Sequence, residues 1–245
     1  MSPMKILFLL YIIIFSSKCS DESSFIEMLK GFIQNNISND FLIKVIEIIR
    51  HRNKHDFPDN FAKNQEAFKS HTYTIRRNKG YIEDQNSYTD MQYGIKPISD
   101  NGCGLIATYN VIFHITNKLD IDFPSIIKAL ENDGIILSGV FGTSMVAIDD
   151  YLKGQGYRTW SSSKKEDFDK IGQATEASIL TVFNSVDDIT RGMHFMAITK
   201  TNGQFYVHNN GNNSSKTAYN SITDVLNRIN GGKAKEVYLT GVYKK

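Results

Sequence analysis

The sequence predicts an α+β protein whose sheet is mainly antiparallel. Apolar residues recur at helical spacing along the first two thirds of the 245-residue chain, and strand-like runs follow from Ser178 onward. Helices followed by strands, without alternation, are typical of this class. Two local signals support it: Asn202-Gly203 lies between two apolar runs, as a hairpin turn would, and Cys103 opens an apolar helix.

The composition is that of one globular domain with an appendage. Hydrophobic residues make up 41% of the chain and charged residues 22%. The formal net charge is only +2, which gives no electrostatic reason to expect a nucleic acid as partner.

Residues 1–20 have the pattern of a secretory signal peptide. Lys5 precedes an unbroken apolar run from Ile6 to Phe15, and small polar residues follow. A bilayer span needs ~20 apolar residues, so this run predicts export without a stable membrane span after signal removal. Cys19 could suggest lipid attachment, but Lys18 directly before it disfavours that processing. We therefore expect a secreted protein and regard membrane attachment as the weaker alternative.

Residues 21–80 are predicted to be helical. Apolar residues recur at helical spacing within Ser23–Asn35 and Asn39–His51, and a third helical piece covers Asp59–Lys69. The region is interpreted as a structural layer on the main domain, because its apolar faces need burial. The alternative is a propeptide-like segment that covers a groove.

Residues 81–245 are predicted to form the main domain. Its first stretch, Tyr81–Asp100, is polar, and Pro97 keeps it from being helical. The helices and strands predicted after it are helices at Cys103–Asn117, Phe123–Glu131 and Thr143–Leu152, and strands at Ser178–Asn184, His194–Thr199, Gln204–Asn209 and Glu236–Tyr243.

Cys103 is the leading candidate for a nucleophile. It would be the lone thiol of an exported chain, and it lies at a predicted helix start, where the helix dipole and free N–H groups favour the thiolate. Gly102 and Gly104 leave the sulfur uncovered. The alternative is a small buried hydrophobic residue, which is the usual state of a free cysteine.

His194 and Asn209 are predicted to meet across the hairpin. A two-residue type I′ turn at Asn202-Gly203 fixes the strand register, and side chains alternate along each strand. His194 and Asn209 then become diagonal neighbours on one face, with Cβ atoms ~7 Å apart. His208 and Asn210 point the other way, so this parity selects Asn209 as the residue that orients His194.

The other histidines fit a catalytic role poorly. His114 lies three helical turns from Cys103, and the remaining three fall in a polar stretch where we expect them to be solvated: His51, His55 and His71. No histidine pair has ligand spacing and no second cysteine lies near Cys103, so neither a metal nor a cofactor is predicted.

Three blocks resemble papain-like cysteine peptidases of the bacteriocin-processing type, over roughly Gln92–Tyr243. They are the Asn-Gly-Cys-Gly block that opens a helix, the block from Gly139 to Thr143 before a helix that ends in Gly-Gln-Gly-Tyr, and the His194 strand with its Tyr-Val-His-Asn hairpin. The resemblance implies a papain-like fold in which a helix carrying the catalytic cysteine packs on an antiparallel sheet.

The resemblance also implies roles for individual residues. Cys103 would be the nucleophile, His194 the general base and acid, and Asn209 the residue that orients His194. The family usually has a Gln about six residues before the Cys as an oxyanion donor, and Pro97 is found there instead. Gln92 and Asn101 are candidate substitutes, beside the backbone N–H of Cys103.

The predicted function is that of a secreted thiol hydrolase, a monomeric cysteine peptidase acting on a peptide or protein substrate. Two alternatives stay open. One is an acyltransferase of the transglutaminase-like kind, in which an amine replaces water. The other is a binding module that keeps the fold without catalysis.

Overall fold

A computed structural model describes residues 38–52, 56–184, 192–210 and 216–244. The predicted signal peptide and the predicted helix at Ser23–Asn35 lie outside these residues. Within them the protein is mixed α and β with an antiparallel sheet, as the sequence predicts.

The described helices all precede or flank the sheet. They are α1 (Asn39–Arg52), α2 (Pro58–Arg77), α3 (Ile98–Asn101), α4 (Cys103–Thr116), α5 (Phe123–Asp133), α6 (Met145–Gly154), α7 (Lys165–Ala174) and α8 (Ile222–Arg228), with 3-10 turns at Gln85–Ser87, Leu137–Gly139 and Ile229–Gly232.

The main sheet has five strands in the order β3-β7-β4-β5-β6, and every neighbouring pair is antiparallel. Its strands are β3 (Thr159–Ser162), β4 (Ala177–Phe183), β5 (Met193–Thr201), β6 (Gln204–His208) and β7 (Lys235–Val242), and a separate two-stranded hairpin is formed by β1 (Gln92–Tyr93) and β2 (Lys96–Pro97).

The two faces of the sheet bury two different cores. Phe195 and Ala197 of β5 pack into the core that contains α4, whereas Met196 and Ile198 pack into the core under α7 and α8. This alternation is what a strand buried on both sides requires, because successive side chains point to opposite faces.

Helix α4 is attached to β5 at both of its ends. The backbone of Phe195 lies close enough to the sulfur of Cys103 to influence its pKa, and the backbone of Lys200 does the same for the imidazole of His114. Eleven residues of helix and five of strand both span about 16 Å, so α4 lies along β5 in the same direction. The start of α4 is thereby fixed against the start of β5.

The predicted hairpin turn is confirmed. Thr201 pairs with Gln204, and Asn202 and Gly203 have φ angles of 52° and 79°, as a type I′ turn requires. Pairing continues only as far as Ala197 and His208.

The N-terminal helices share the core of the main domain. Four apolar side chains of α1 are buried in the same cluster as Cys103: Leu42, Val45, Ile46 and Ile49. In α2, the Asn60 amide donates to the Gly94 carbonyl at 2.9 Å. The Asn64 side chain donates to the Gln92 carbonyl at 2.8 Å and accepts from the Gln92 N–H at 2.7 Å. These contacts support the interpretation of this region as a structural layer.

Several predicted boundaries were wrong. Strand β3 and helices α7 and α8 were not predicted, and α2 continues to Arg77 instead of ending at Lys69. The residue that caps α6 is Ser144 and not Thr143, because the Ser144 hydroxyl accepts from the Val146 and Ala147 N–H groups at 3.1 and 3.2 Å.

Replacing a buried residue of α1 tests whether this helix belongs to the domain. Ile46 is fully buried, so Ile46→Ala is expected to lower the free energy of unfolding by about 2–5 kcal/mol in urea titrations. The exposed Tyr73 of α2 is the control, and Tyr73→Ala is expected to change it by less than about 0.5 kcal/mol. Equal effects of the two variants would contradict the structural-layer interpretation.

Candidate functional site

Cys103 is the first residue of α4 and is buried, with 9% of its surface exposed. Gly102 is the N-cap. The backbone N–H groups of Phe195, Gly104 and Cys103 itself lie close enough to the sulfur to favour its thiolate form. Two of these three donors belong to the first turn of the helix, where N–H groups have no partner within the helix.

Burial raises the pKa of the Cys103 thiol to about 11, and the three N–H donors offset only part of this effect. The thiol is therefore protonated near neutral pH in the resting protein. The N–H groups at the helix start favour the thiolate, as expected, but removal of the sulfur from water is the larger effect and raises the pKa overall.

His194 lies at the second position of β5 and is partly buried. Its Nε2 atom is 3.0 Å from the backbone carbonyl oxygen of Asn209. A carbonyl can only accept, so Nε2 carries the hydrogen and Nδ1 of the neutral ring carries the lone pair. Burial lowers the pKa of His194, which favours this neutral form.

Cys103 and His194 both lie near the point where β6 leaves β5. The last pair of these strands is Ala197 and His208, and Asn209 then turns the chain away with a φ of 59°. Phe195 and His194 lie beyond that last pair. The Phe195 N–H lies beside the Cys103 sulfur, and the His194 ring hydrogen-bonds to the Asn209 carbonyl. The structure therefore brings all three predicted catalytic residues to one end of β5.

The two groups approach this point from opposite faces of the sheet. His194 is paired with Val182, which is buried in the core under α7 and α8, whereas Cys103 belongs to the core on the α4 side. An approach of the imidazole to the thiol would therefore have to pass around the edge of β5, beyond the last paired residues of β6.

Asn209 contacts His194, but through a different atom from the predicted one. Its side-chain oxygen accepts from the Gln85 N–H at 3.0 Å, and its side-chain nitrogen donates to Gln85 Oε1 at 3.3 Å. The prediction that the Asn209 amide orients His194 is corrected, because the backbone carbonyl makes that contact. Asn209, the residue indicated by the hairpin parity, does contact His194. It does so through its backbone carbonyl, because the chain turns with a positive φ after β6 and the side chain bonds to Gln85 instead.

The two predicted oxyanion donors have structural contacts. Both hydrogens of the Asn101 amide are engaged, by the carbonyls of Tyr93 and Gly139, so none is left to donate to a substrate. Gln92 lies in β1, where its backbone N–H and carbonyl both hydrogen-bond to the Asn64 side chain. The N–H groups of Phe195, Cys103 and Gly104 are the backbone donors that lie beside the sulfur, and those of Cys103 and Gly104 belong to the helix start.

A second polar cluster lies along the other end of α4. His208 Nδ1 is 2.7 Å from Glu83, its Nε2 is 2.9 Å from the Thr199 hydroxyl, and its ring stacks on Tyr81 with centroids 3.9 Å apart. The order of Thr, His and Glu is that of a hydrolase triad, but Thr199 is only 2% exposed. Burial excludes substrate from this hydroxyl. The sequence missed this cluster because Tyr81 and Glu83 lie in a stretch with no periodic pattern.

The remaining histidines differ in environment. His51 is exposed, as predicted. His71 is not solvated as expected, because it bonds to Asp90 at 2.8 Å and stacks on Tyr88 with centroids 4.1 Å apart. His114 Nδ1 is 2.9 Å from the Tyr81 hydroxyl, and the ring is partly buried. His55 lies outside the described residues.

The described residues contain no group of three or more His, Cys, Asp or Glu side chains that could hold a metal ion. None of the helices among them combines the length and apolar character that a membrane crossing demands.

The chain matches no family model, and no curated protein or solved structure is detectably similar to it. The chemistry of the site therefore has to follow from its own geometry.

The pH dependence of alkylation measures the state of Cys103. With the pKa of the thiol near 11 and the sulfur mostly covered, the iodoacetamide rate at pH 7 is expected to be below that of an exposed thiol. The rate should rise steadily with pH up to and beyond pH 9, in a chain carrying Cys19→Ser so that one thiol remains. A rate that is already at its plateau near pH 7 would instead reveal a thiolate–imidazolium pair.

Two substitutions separate the backbone and side-chain contributions of Asn209. Asn209→Gly loses the two contacts with Gln85 and keeps the left-handed backbone, whereas Asn209→Ala also has to adopt a positive φ. We expect Ala to be less stable than Gly by about 1 kcal/mol in urea unfolding. The neighbouring Asn210→Ala is the control, with a smaller loss than either. Equal stability of Gly and Ala would contradict the importance of the backbone turn.

Proposed function

We propose that this protein is a papain-like thiol hydrolase that cleaves peptide bonds through Cys103 and His194. The observation that carries the proposal is the bond from His194 Nε2 to the Asn209 carbonyl. It supports a neutral imidazole with Nδ1 unprotonated, which in this proposal is the base for the Cys103 thiol, and a base beside a nucleophile is what acyl transfer needs.

The chemistry starts from two neutral groups. His194 Nδ1 takes the proton of the Cys103 thiol while the sulfur attacks the carbonyl carbon of the substrate. The N–H groups of Cys103 and Gly104 stabilise the oxyanion that forms. His194 then donates its proton to the leaving amine, and a thioester remains. Water attacks the thioester with His194 again as the base, which releases the acid and restores the thiol.

The cover over the sulfur points to an extended substrate. Only 9% of Cys103 is exposed, so a folded surface could not bring a carbonyl carbon to bonding distance. An unfolded peptide has a narrow backbone that can reach past the end of β6. We therefore propose extended peptide segments as the substrate class.

The cellular setting in the proposal is extracellular, and the active form is a monomer. The apolar run at residues 6–15 supports export, and the chain has two cysteines, of which Cys19 falls within the predicted signal peptide. An exported chain cleaved after that position would keep Cys103 without a disulfide partner.

One observation favours a non-catalytic binding module as a second candidate. The pKa of Cys103 is raised to about 11, whereas an active nucleophile usually has a lowered pKa. In this alternative Cys103 only fills the core beside β5. Acyl transfer to an amine remains a variant of the first proposal, because it uses the same acyl-enzyme.

Turnover of an unfolded, fluorescently labelled casein tests the proposal. Cys103→Ser is expected to abolish cleavage, and His194→Ala to lower kcat/KM by roughly 10²–10⁴-fold through loss of the base. The exposed His51 supplies the matched control, and His51→Ala should cleave like the wild type. Cleavage that survives Cys103→Ser would rule out the nucleophile named here.

The same assay with an added primary amine separates hydrolysis from transfer. A hydrolase yields free acid products whether or not the amine is present. An acyltransferase incorporates the amine into the product and slows the release of acid. Absence of both products, with Cys103 intact and the protein folded, would favour the binding module.

A further inference from the structure

We propose that residues 83–85 form a positioning strap that holds Asn209 and, through it, orients His194. This inference rests on the proposed function for its catalytic meaning, but its geometry stands independently. Every polar group of Asn209 is engaged: its N–H by Glu83, its side chain by Gln85 and its carbonyl by His194.

Glu83 holds the backbone at the end of β6. One carboxylate oxygen accepts from the Asn209 N–H at 3.3 Å, and the other is 2.7 Å from His208 Nδ1. The carboxylate therefore spans the last paired residue of β6 and the first residue of the turn. His208 is itself held by Thr199 of β5, so the turn starts from a fixed point.

Gln85 joins the histidine side of the site to the cysteine side. Its backbone N–H donates to Asn209 Oδ1, and its side-chain oxygen accepts from Asn209 Nδ2. Its own side-chain nitrogen donates to the Ser99 carbonyl at 3.0 Å. Ser99 belongs to α3, which leads within four residues to Cys103. Gln85 is thus bonded to both segments whose relative position decides whether the imidazole meets the thiol.

Asn209 needs such support because of its backbone. Its φ of 59° lies in the left-handed region, which a side chain adopts only at some cost, although Asn tolerates it better than most residues. A turn released from Glu83 and Gln85 could relax toward negative φ. Its carbonyl would then rotate away from His194 Nε2, and the tautomer with Nδ1 free would no longer be favoured.

The experiment measures the His194 tautomer by ¹⁵N NMR together with kcat and KM on labelled casein. Gln85→Met keeps the volume of the side chain and removes its hydrogen bonds, whereas Gln85→Glu keeps the acceptor for Asn209 and loses the donor to Ser99. In the wild type we expect the Nε2–H tautomer. In Gln85→Met we expect a mixture of tautomers and a kcat lowered roughly three- to tenfold with KM unchanged.

The controls separate positioning from simple stability. Gln85→Glu should keep the wild-type tautomer, and Gln173→Ala, at an exposed glutamine, should change neither readout. If Gln85→Met does not fold, Asn209→Gly is the substitute variant, because it removes the side-chain amide that hydrogen-bonds to Gln85. The same mixture of tautomers is expected in it.

Two results would be decisive against different parts of the proposal. A folded Gln85→Met with the wild-type tautomer and wild-type kcat would overturn the strap and leave the proposed function intact. A mixed tautomer in Gln85→Met, in a protein whose wild type shows no turnover, would support the strap and overturn the proposed function.

Discussion

The arrangement of the site depends on the attachment of α4 to β5. The Cys103 sulfur lies beside the backbone of Phe195 at one end, and His114 lies beside the backbone of Lys200 at the other. Because both elements rise by the same total length between these two contacts, the helix keeps one register along the strand. The two cores on either side of the sheet then hold this pair in place. The position of the thiol relative to His194 is therefore a property of the whole domain and not of a loop.

Burial governs the chemistry of both reactive groups. It raises the pKa of Cys103 and lowers that of His194, so each group is held in its neutral form. A neutral thiol beside a neutral imidazole can react only if the proton moves as the sulfur attacks. In such a pair the base must already have the right nitrogen unprotonated, and the Asn209 carbonyl supplies that condition. In the proposed mechanism, the orientation of the His194 ring therefore matters more than the charge of either group.

Periodic patterns predicted the parts of the fold that they could describe. The apolar run after Cys103 indicated the buried helix, and Asn202-Gly203 gave the register that β5 and β6 have. The polar stretch before α4 has no hydrophobic periodicity. The contacts of Glu83 and Gln85 with Asn209, which join residues more than 120 positions apart, could therefore not be predicted from sequence patterns. The pKa of Cys103 was misjudged for a related reason. A helix start can be recognised in a sequence, whereas the depth at which tertiary packing buries it cannot.

The contact between His194 and a main-chain oxygen has an evolutionary consequence. Any amino acid can offer a carbonyl, so the contact with His194 itself requires of position 209 a left-handed turn and not an amide group. Aspartate, which tolerates that conformation and keeps a side-chain oxygen for the Gln85 N–H, could then replace asparagine in distant relatives while the imidazole keeps its partner. A search pattern that demands a Cys, His and Asn signature would pass over such relatives. One that asks for a turn-forming residue directly after the second strand of the hairpin would retain them.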